Sequence, residues 1–190
     1  VEYKAATDKK TVLNLTQHTY FNLSEDKDIL NHKLMINADK YIPVDENLIP
    51  LGELVSVNGS PFDFKISKTI GKDIKDNHIQ LERGGGFDHC WVLNEQNIGL
   101  RTSAILLDPA SGRQMEVLTD EPGIQFYSGN FLDGSLPMKN SDFFYEKRSG
   151  LCLETQHYPN SPNEPSFPTV ELNPGENYYS KTVFKFSIRP

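Results

Sequence analysis

Cysteine is scarce in this chain: Cys90 and Cys152 are the only two in 190 residues. Two are too few for a disulfide framework. Without C-x-x-C spacing they also offer no thioredoxin-type redox pair and no usual zinc motif, so both read as small buried hydrophobes. Long apolar runs are missing, and the longest falls far short of the ~18 residues that span a bilayer. Positive charge is in deficit, with 19 Lys and Arg against 26 Asp and Glu and a formal net charge of -7. That balance excludes the basic footprint by which proteins hold nucleic acid or anionic membranes, and it suits a neutral small molecule. No stretch sustains a helical period either. A hydrophobic fraction of 37%, with 13 Gly and 12 Pro, favours strands and turns.

The expected architecture is therefore all-β, a large antiparallel β-sandwich forming a single domain over residues 1–190. The chain has no initiator Met and opens inside strand-like sequence. We expect it to be part of a longer chain, with any signal peptide outside view. A cytoplasmic location is the expectation, with a periplasmic or secreted one left open. Three Asn-x-Ser/Thr tripeptides, at Asn14, Asn22 and Asn58, are read as inert.

Period-two alternation marks several strands. Thr11 to Leu23 sets Leu13, Leu15 and Phe21 on one face and Asn14, Thr16, His18 and Tyr20 on the other, placing His18 mid-strand in a polar row. Lys33 to Tyr41 alternates with Leu34, Ile36 and Ala38 inward. Ile66 to His78 is the one region with the character of a short helical turn. The run Arg83-Gly84-Gly85-Gly86 fits neither G-x-G-x-x-G nor a phosphate loop, and no helix follows it. It reads as a flexible approach to a strand that opens with Asp88 and His89. Asp-Pro-Ala-Ser-Gly-Arg at 108–113 is a hairpin turn. Ile124 to Ser128 faces Gln125 and Tyr127 one way and Ile124 and Phe126 the other, and Tyr178 to Ile188 is a half-buried closing strand.

The stretch Leu151 to Pro159 carries the chemistry. Leu151, Leu153 and Thr155 share one face, and Cys152, Glu154 and Gln156 the other. A rigid strand that offers one carboxylate to a polar cleft, ended by a proline-dense loop, is a way to position a general base; a water-facing acid on an edge strand would show the same pattern. His18 among Asn, Thr and Tyr has the look of a sugar-sized pocket lining. Asp88 is either a turn cap, which the local residues favour, or an acceptor for a ligand hydroxyl.

Four motifs in order, NLTQHTYFNL (14–23), FDHCWVL (87–93), PGIQFYSGNFLDG (122–134) and LETQHYPNSPNEPSFP (153–168), resemble the aldose 1-epimerase, or galactose mutarotase, family along nearly the whole chain. The resemblance implies a many-stranded β-sandwich of which this chain is the later, C-terminal part, with the N-terminal strands absent. It implies anomerisation of free hexoses such as galactose and glucose with no cofactor and no metal. By position it implies Glu154 as base, His18 as acid, and Asp88 and Gln125 as hydrogen-bonding partners of sugar hydroxyls. Gln17 stands where an Asn commonly precedes the His, and Cys90-Trp91 where Asn-Phe is commoner. Neither departure is expected to touch the chemistry. The family also uses an arginine and a histidine from an earlier segment, so the expected partners are a small-molecule aldose together with that segment or another chain covering the exposed strand edges.

On this reading Glu154 takes the C1 hydroxyl proton while His18, set across the anomeric centre, protonates the ring oxygen. Three other readings stand beside it. A sugar-binding module without turnover would bind but not anomerise. An epimerase for phosphorylated sugars would need a basic pocket, which these polar rows lack. A two-carboxylate hydrolase would use Glu154 and Asp88 at a spacing of ~5–9.5 Å.

Overall fold

The computed structural model describes residues 1–139 and 142–189. Its strands are β1 (Glu2–Ala5), β2 (Thr11–Val12), β3 (Tyr20–Phe21), β4 (Lys33–Ile36), β5 (Ala38–Ile42), β6 (Val55–Ser56), β7 (Lys68–Thr69), β8 (Asp88–Leu93), β9 (Arg101–Leu107), β10 (Arg113–Thr119), β11 (Gly123–Tyr127), β12 (Leu151–Gln156), β13 (Glu171–Leu172) and β14 (Tyr178–Ile188), with one helix, α1 (Ile79–Gly84). They form two six-stranded antiparallel sheets, β1-β14-β10-β9-β4-β7 and β3-β12-β11-β8-β5-β6, and a small β13-β2 pair. The expected antiparallel sandwich is what the chain builds.

Between the sheets lies an aromatic core. Phe62 stacks on Tyr41 at 4.2 Å and Phe87 on Phe126 at 5.3 Å, while Phe64 meets Phe126 edge to face at 5.7 Å. Such ring geometries add to the burial of their large apolar area. The Trp91 indole N–H, fully buried, donates to the Phe62 carbonyl at 3.0 Å. His89 is also buried in this core. Its Nε2 lies 3.0 Å from Gln80 Oε1, and burial drives its pKa down to about 3, so the ring stays neutral. The two sheets are joined by a row of hydroxyls, Thr155 to Thr182 at 2.5 Å and Thr182 to Thr119 at 3.0 Å.

Three expectations need correction. The segment 33–41 is not one strand: β4 pairs with β9 in one sheet and β5 with β8 in the other. Asn37 is the corner, its N–H donating to Ser103 O and its carbonyl accepting from Asn94 N–H. Leu34, Ile36 and Ala38 are all buried as expected, which is why the alternation runs unbroken across the switch.

Second, a 3-10 turn at Ile70–Lys72 falls within the segment expected to hold a helical turn, but the α-helix lies just beyond it, at Ile79–Gly84. Third, the glycine run is a fitted helix exit, not a flexible approach. Gly85 sits at φ 64 and its N–H bonds Glu82 O, while Gly86 N–H returns to Leu81 O, the usual left-handed stop for a helix. Gly86 has φ 143, and a Cβ there would meet Asn130 Oδ1, Arg148 Nη1 and Ser128 Oγ.

Those side chains belong to a clasp. Asn130 donates to the carbonyls of Gly84 and Phe87 at 2.8 and 2.9 Å, and its Oδ1 accepts from Ser128 Oγ and Arg148 Nη1. The entry to β8, and with it the place of Asp88, is fixed by this network. Gly86→Ala is expected to lower the urea midpoint with an unchanged m-value, a loss of roughly 1–3 kcal/mol from backbone strain and a displaced clasp.

Candidate active site

The site is written in the pleat of the second sheet. Residues directly opposite each other on paired strands share a face. The register sets Gln125 against Glu154 and Cys90, and Tyr127 against Cys152 and Asp88; Tyr20 faces Cys152 across the last pair. One face therefore carries Tyr20, Cys152, Glu154, Gln125, Tyr127 and Asp88. The intervening residues, Leu151, Leu153, Ile124, Phe126 and Phe87, are fully buried in the core. On β8, β11 and β12 each polar group thus stands between two buried neighbours on a rigid element, the arrangement that holds a side chain in one geometry.

Tyr20, Asp88, Gln125, Tyr127 and Glu154 line a cleft of about 470 Å³, together with Ile42, Val44, Pro50 and Pro159. That volume is within the range of small-ligand sites. His18, Asp88, Gln125 and Glu154, the four residues singled out from sequence, all open onto it.

His18 Nε2 lies 3.6 Å from Glu154 Oε1, too long for a hydrogen bond but close enough for the charges to interact. The two environments differ sharply, with the His18 side chain 53% exposed and that of Glu154 9% exposed. Burial raises the Glu154 pKa to about 7, the imidazole of His18 pulling it down and the Asp88 carboxylate pushing it further up.

His18 is not mid-strand. The chain between β2 and β3 is irregular, and two amide side chains make the lateral bonds that a strand ladder would have made. Asn14 bonds both the N–H and the carbonyl of His157 at 3.0 Å, and Gln17 Nε2 donates to Leu153 O at 2.9 Å. The Asn14 and Asn22 amides of the sequons are thereby occupied, Asn22 Nδ2 donating to the carbonyls of Asp26 and Ser149.

Asp88 is not a turn cap. Its Oδ1 accepts from Gln125 Nε2 at 2.8 Å, and its pKa is raised by burial, against the lowering effects of that bond and of His18. The oxygen of that same amide, Gln125 Oε1, is buried with no partner. An orphaned buried acceptor carries a desolvation cost that a ligand hydroxyl would relieve.

Three further residues frame the imidazole; period two from Gln125 points to Tyr127 and from Glu154 to Cys152, while Tyr20 stands two residues beyond His18 itself. The rings of Tyr20 and Tyr127 lie 5.1 and 6.2 Å from that of His18. Tyr127 OH accepts from Phe131 N–H at 2.8 Å, which sets the ring in place. Cys152 is buried as expected, yet its Sγ is 3.3 Å from His18 Nδ1, so it is more than a filler.

His18, Cys152 and Glu154 offer nitrogen, sulfur and oxygen within 4.8 Å of one another. Burial and the two carboxylates push the Cys152 thiol upward, so it keeps its proton and serves as a hydrogen-bonding neighbour of the ring. Among the described residues no helix is long and apolar enough to cross a membrane.

A family model described as aldose 1-epimerase matches residues 1–185. Galactose mutarotase of Homo sapiens is 46% identical over 193 residues, covering 99% of this chain and 54% of that protein. Aldose 1-epimerase of Escherichia coli (strain K12) is 40% identical over 189 residues, covering 98% and 54%. In structure, the GalM/aldose epimerase homologue from C. elegans superposes with a TM-score of 0.85 at 28% identity, over 98% of this chain and 55% of that one. Galactose 1-epimerase from Lactobacillus acidophilus NCFM gives 0.83 at 29%, over 98% and 52%. The chain spans about half the length of the relatives it matches. With its two-sheet fold, its motifs and a family match over residues 1–185, the chain belongs to the aldose 1-epimerase family.

Proposed function

We propose that this chain carries the acid and base of a mutarotase that interconverts the α and β anomers of a free hexose such as galactose or glucose. We propose also that its 190 residues are the later part of a longer β-sandwich domain, consistent with relatives about twice as long. On this reading a further segment, from the same chain or another, completes the cleft, and the protein works in the cytoplasm. The observation that carries the reading is the His18–Glu154 pair, 3.6 Å apart over a floor of Asp88 and Gln125.

The chemistry follows from that spacing. The Glu154 carboxylate takes the proton of the C1 hydroxyl while the His18 imidazolium gives one to the ring oxygen. The C1–O5 bond breaks and the C1 carbonyl forms. After rotation about C1–C2, the O5 hydroxyl adds to the other face of the carbonyl, His18 recovers its proton and Glu154 returns the one it took. Both oxygens are bonded to C1, so acid and base must lie close together. A pair this near would reach them from one side of the anomeric centre, where the sequence reading set it across that centre. Asp88 and the free Gln125 Oε1 accept from ring hydroxyls and hold the sugar in register. A base with a pKa near the working pH is well matched to proton transfer, each such group contributing roughly 10²–10⁴-fold.

Glu154→Gln keeps shape and removes the base, and is expected to slow anomerisation by roughly 10²-fold or more in polarimetry on the native protein. Near-normal rates in that variant reject the reading. Weak, saturable sugar binding with no acceleration by the wild type would instead favour the binding-module alternative. In the active protein the acid limb of kcat/KM is expected to have its midpoint near pH 7, where Glu154 ionises, and not in the ordinary carboxylate range.

The same group has a signature in stability. A carboxyl whose pKa is raised from 4.5 to about 7 by folding leaves stability fully present below the unfolded value, and stability is lost as pH rises through the folded one. Glu154→Gln removes this loss. Urea midpoints are expected to show the variant more stable than wild type by about 2–3 kcal/mol at pH 8, with the difference closing below pH 5.

A further inference from the structure

We propose that Gln17 is a positioning residue, inserted into the sheet edge so as to hold His18 over Glu154; the catalytic part of this inference rests on the acid-base reading above. β3 pairs with β12 only at Phe21↔Leu151 and Tyr20↔Cys152. Continued by one and two residues, that register would set Thr19 against Leu153 and His18 against Glu154. The ladder stops instead, and the Gln17 side chain fills the gap. Its Oε1 accepts from Thr19 N–H at 2.9 Å and its Nε2 donates to Leu153 O at 2.9 Å.

One amide thus lies between the donor and the acceptor that a direct strand pair would have joined. Both backbone groups are satisfied, as buried peptide groups require. The backbone of residues 17–19 is held away from β12 by the width of that amide, while His18 keeps the register position opposite Glu154. This is how an imidazole opposite a buried carboxylate can be half in water and still lie 3.6 Å from it.

The other flank of His18 is fastened in the same way. Asn14 spans the N–H and carbonyl of His157, and the His157 ring is held in turn by the buried Glu121 carboxylate at 2.7 Å. Asn14 fixes the distant end of the segment. Gln17, adjacent to His18, sets the distance of the ring from the carboxylate. A side chain one methylene shorter could not bridge the same gap without drawing the segment inward.

The test compares Gln17→Met, of similar length but able neither to donate nor to accept, with wild type by two readouts. First, the rings of Tyr20 and Tyr127 shift the His18 ring-proton resonances. In the variant these resonances are expected to move toward those of a free histidine while the Trp91 indole signal is unchanged. Second, kcat is expected to fall about tenfold with KM changed less than twofold, and the substitution is expected to have no further effect on kcat in a His18→Asn background. Unchanged His18 resonances, or an equal loss in the His18→Asn background, would overturn the proposal. Should Gln17→Met lose its fold, Gln17→Glu serves: it keeps the acceptor for Thr19 but turns a carboxylate against the Leu153 carbonyl, and it is expected to displace His18 likewise. Displaced resonances in a protein whose wild type shows no anomerisation would uphold the positioning and reject the acid-base function.

Discussion

Everything in the cleft depends on one carboxylate being kept out of water by its own strand. Glu154 stands between Leu153 and Thr155, both buried in the inter-sheet core, so its backbone has little freedom to carry the side chain outward. Desolvation then does the chemical work, lifting the pKa to about 7. The His18 charge opposes that lift and limits it. A carboxylate poised in this way persists only while the aromatic core beneath it and the threonine row beside it hold their places.

Stability and the polarity of the cleft consequently pull in opposite directions along one face of the sheet. Glu154 and Asp88 are two carboxylates raised by burial, and Gln125 Oε1 is a buried acceptor without a partner. Each feature opposes folding, and the opposite face of the same strands compensates with fully buried Leu151, Leu153, Ile124, Phe126 and Trp91. Period two is the device that makes this possible. It lets adjacent residues serve the core and the cleft in alternation, with no loop needed to carry the floor of the site.

That device also explains what could be read in the sequence. Where a segment lies in a regular ladder, as β11, β12 and β14 do, the faces of Gln125, Glu154 and their neighbours follow from alternation alone, and the bounds of β14 do so as well. Reading failed where side chains replaced backbone in the ladder. Residues 13–19 alternate like a strand, yet the lateral bonds are made by Asn14 and Gln17, and no periodicity distinguishes the two. It failed again at Asn37, because both sheets share one core and Ala38 is buried as Ile36 is. α1 was missed because six residues ending in glycine are too short to show a period. The local residues of Asp88 favoured a cap over a ligand acceptor because its cross-strand partner, Gln125, is 37 residues away.

The central claim is that one imidazole and one carboxylate act together on the two oxygens of a single carbon. A crystal structure of the native protein with D-galactose tests it most directly. The account predicts the C1 hydroxyl within hydrogen-bond reach of the Glu154 carboxylate and the ring oxygen within reach of His18 Nε2, with other hydroxyls donating to Asp88 and Gln125. A sugar seated in the cleft with its anomeric carbon turned away from both His18 and Glu154 would contradict it.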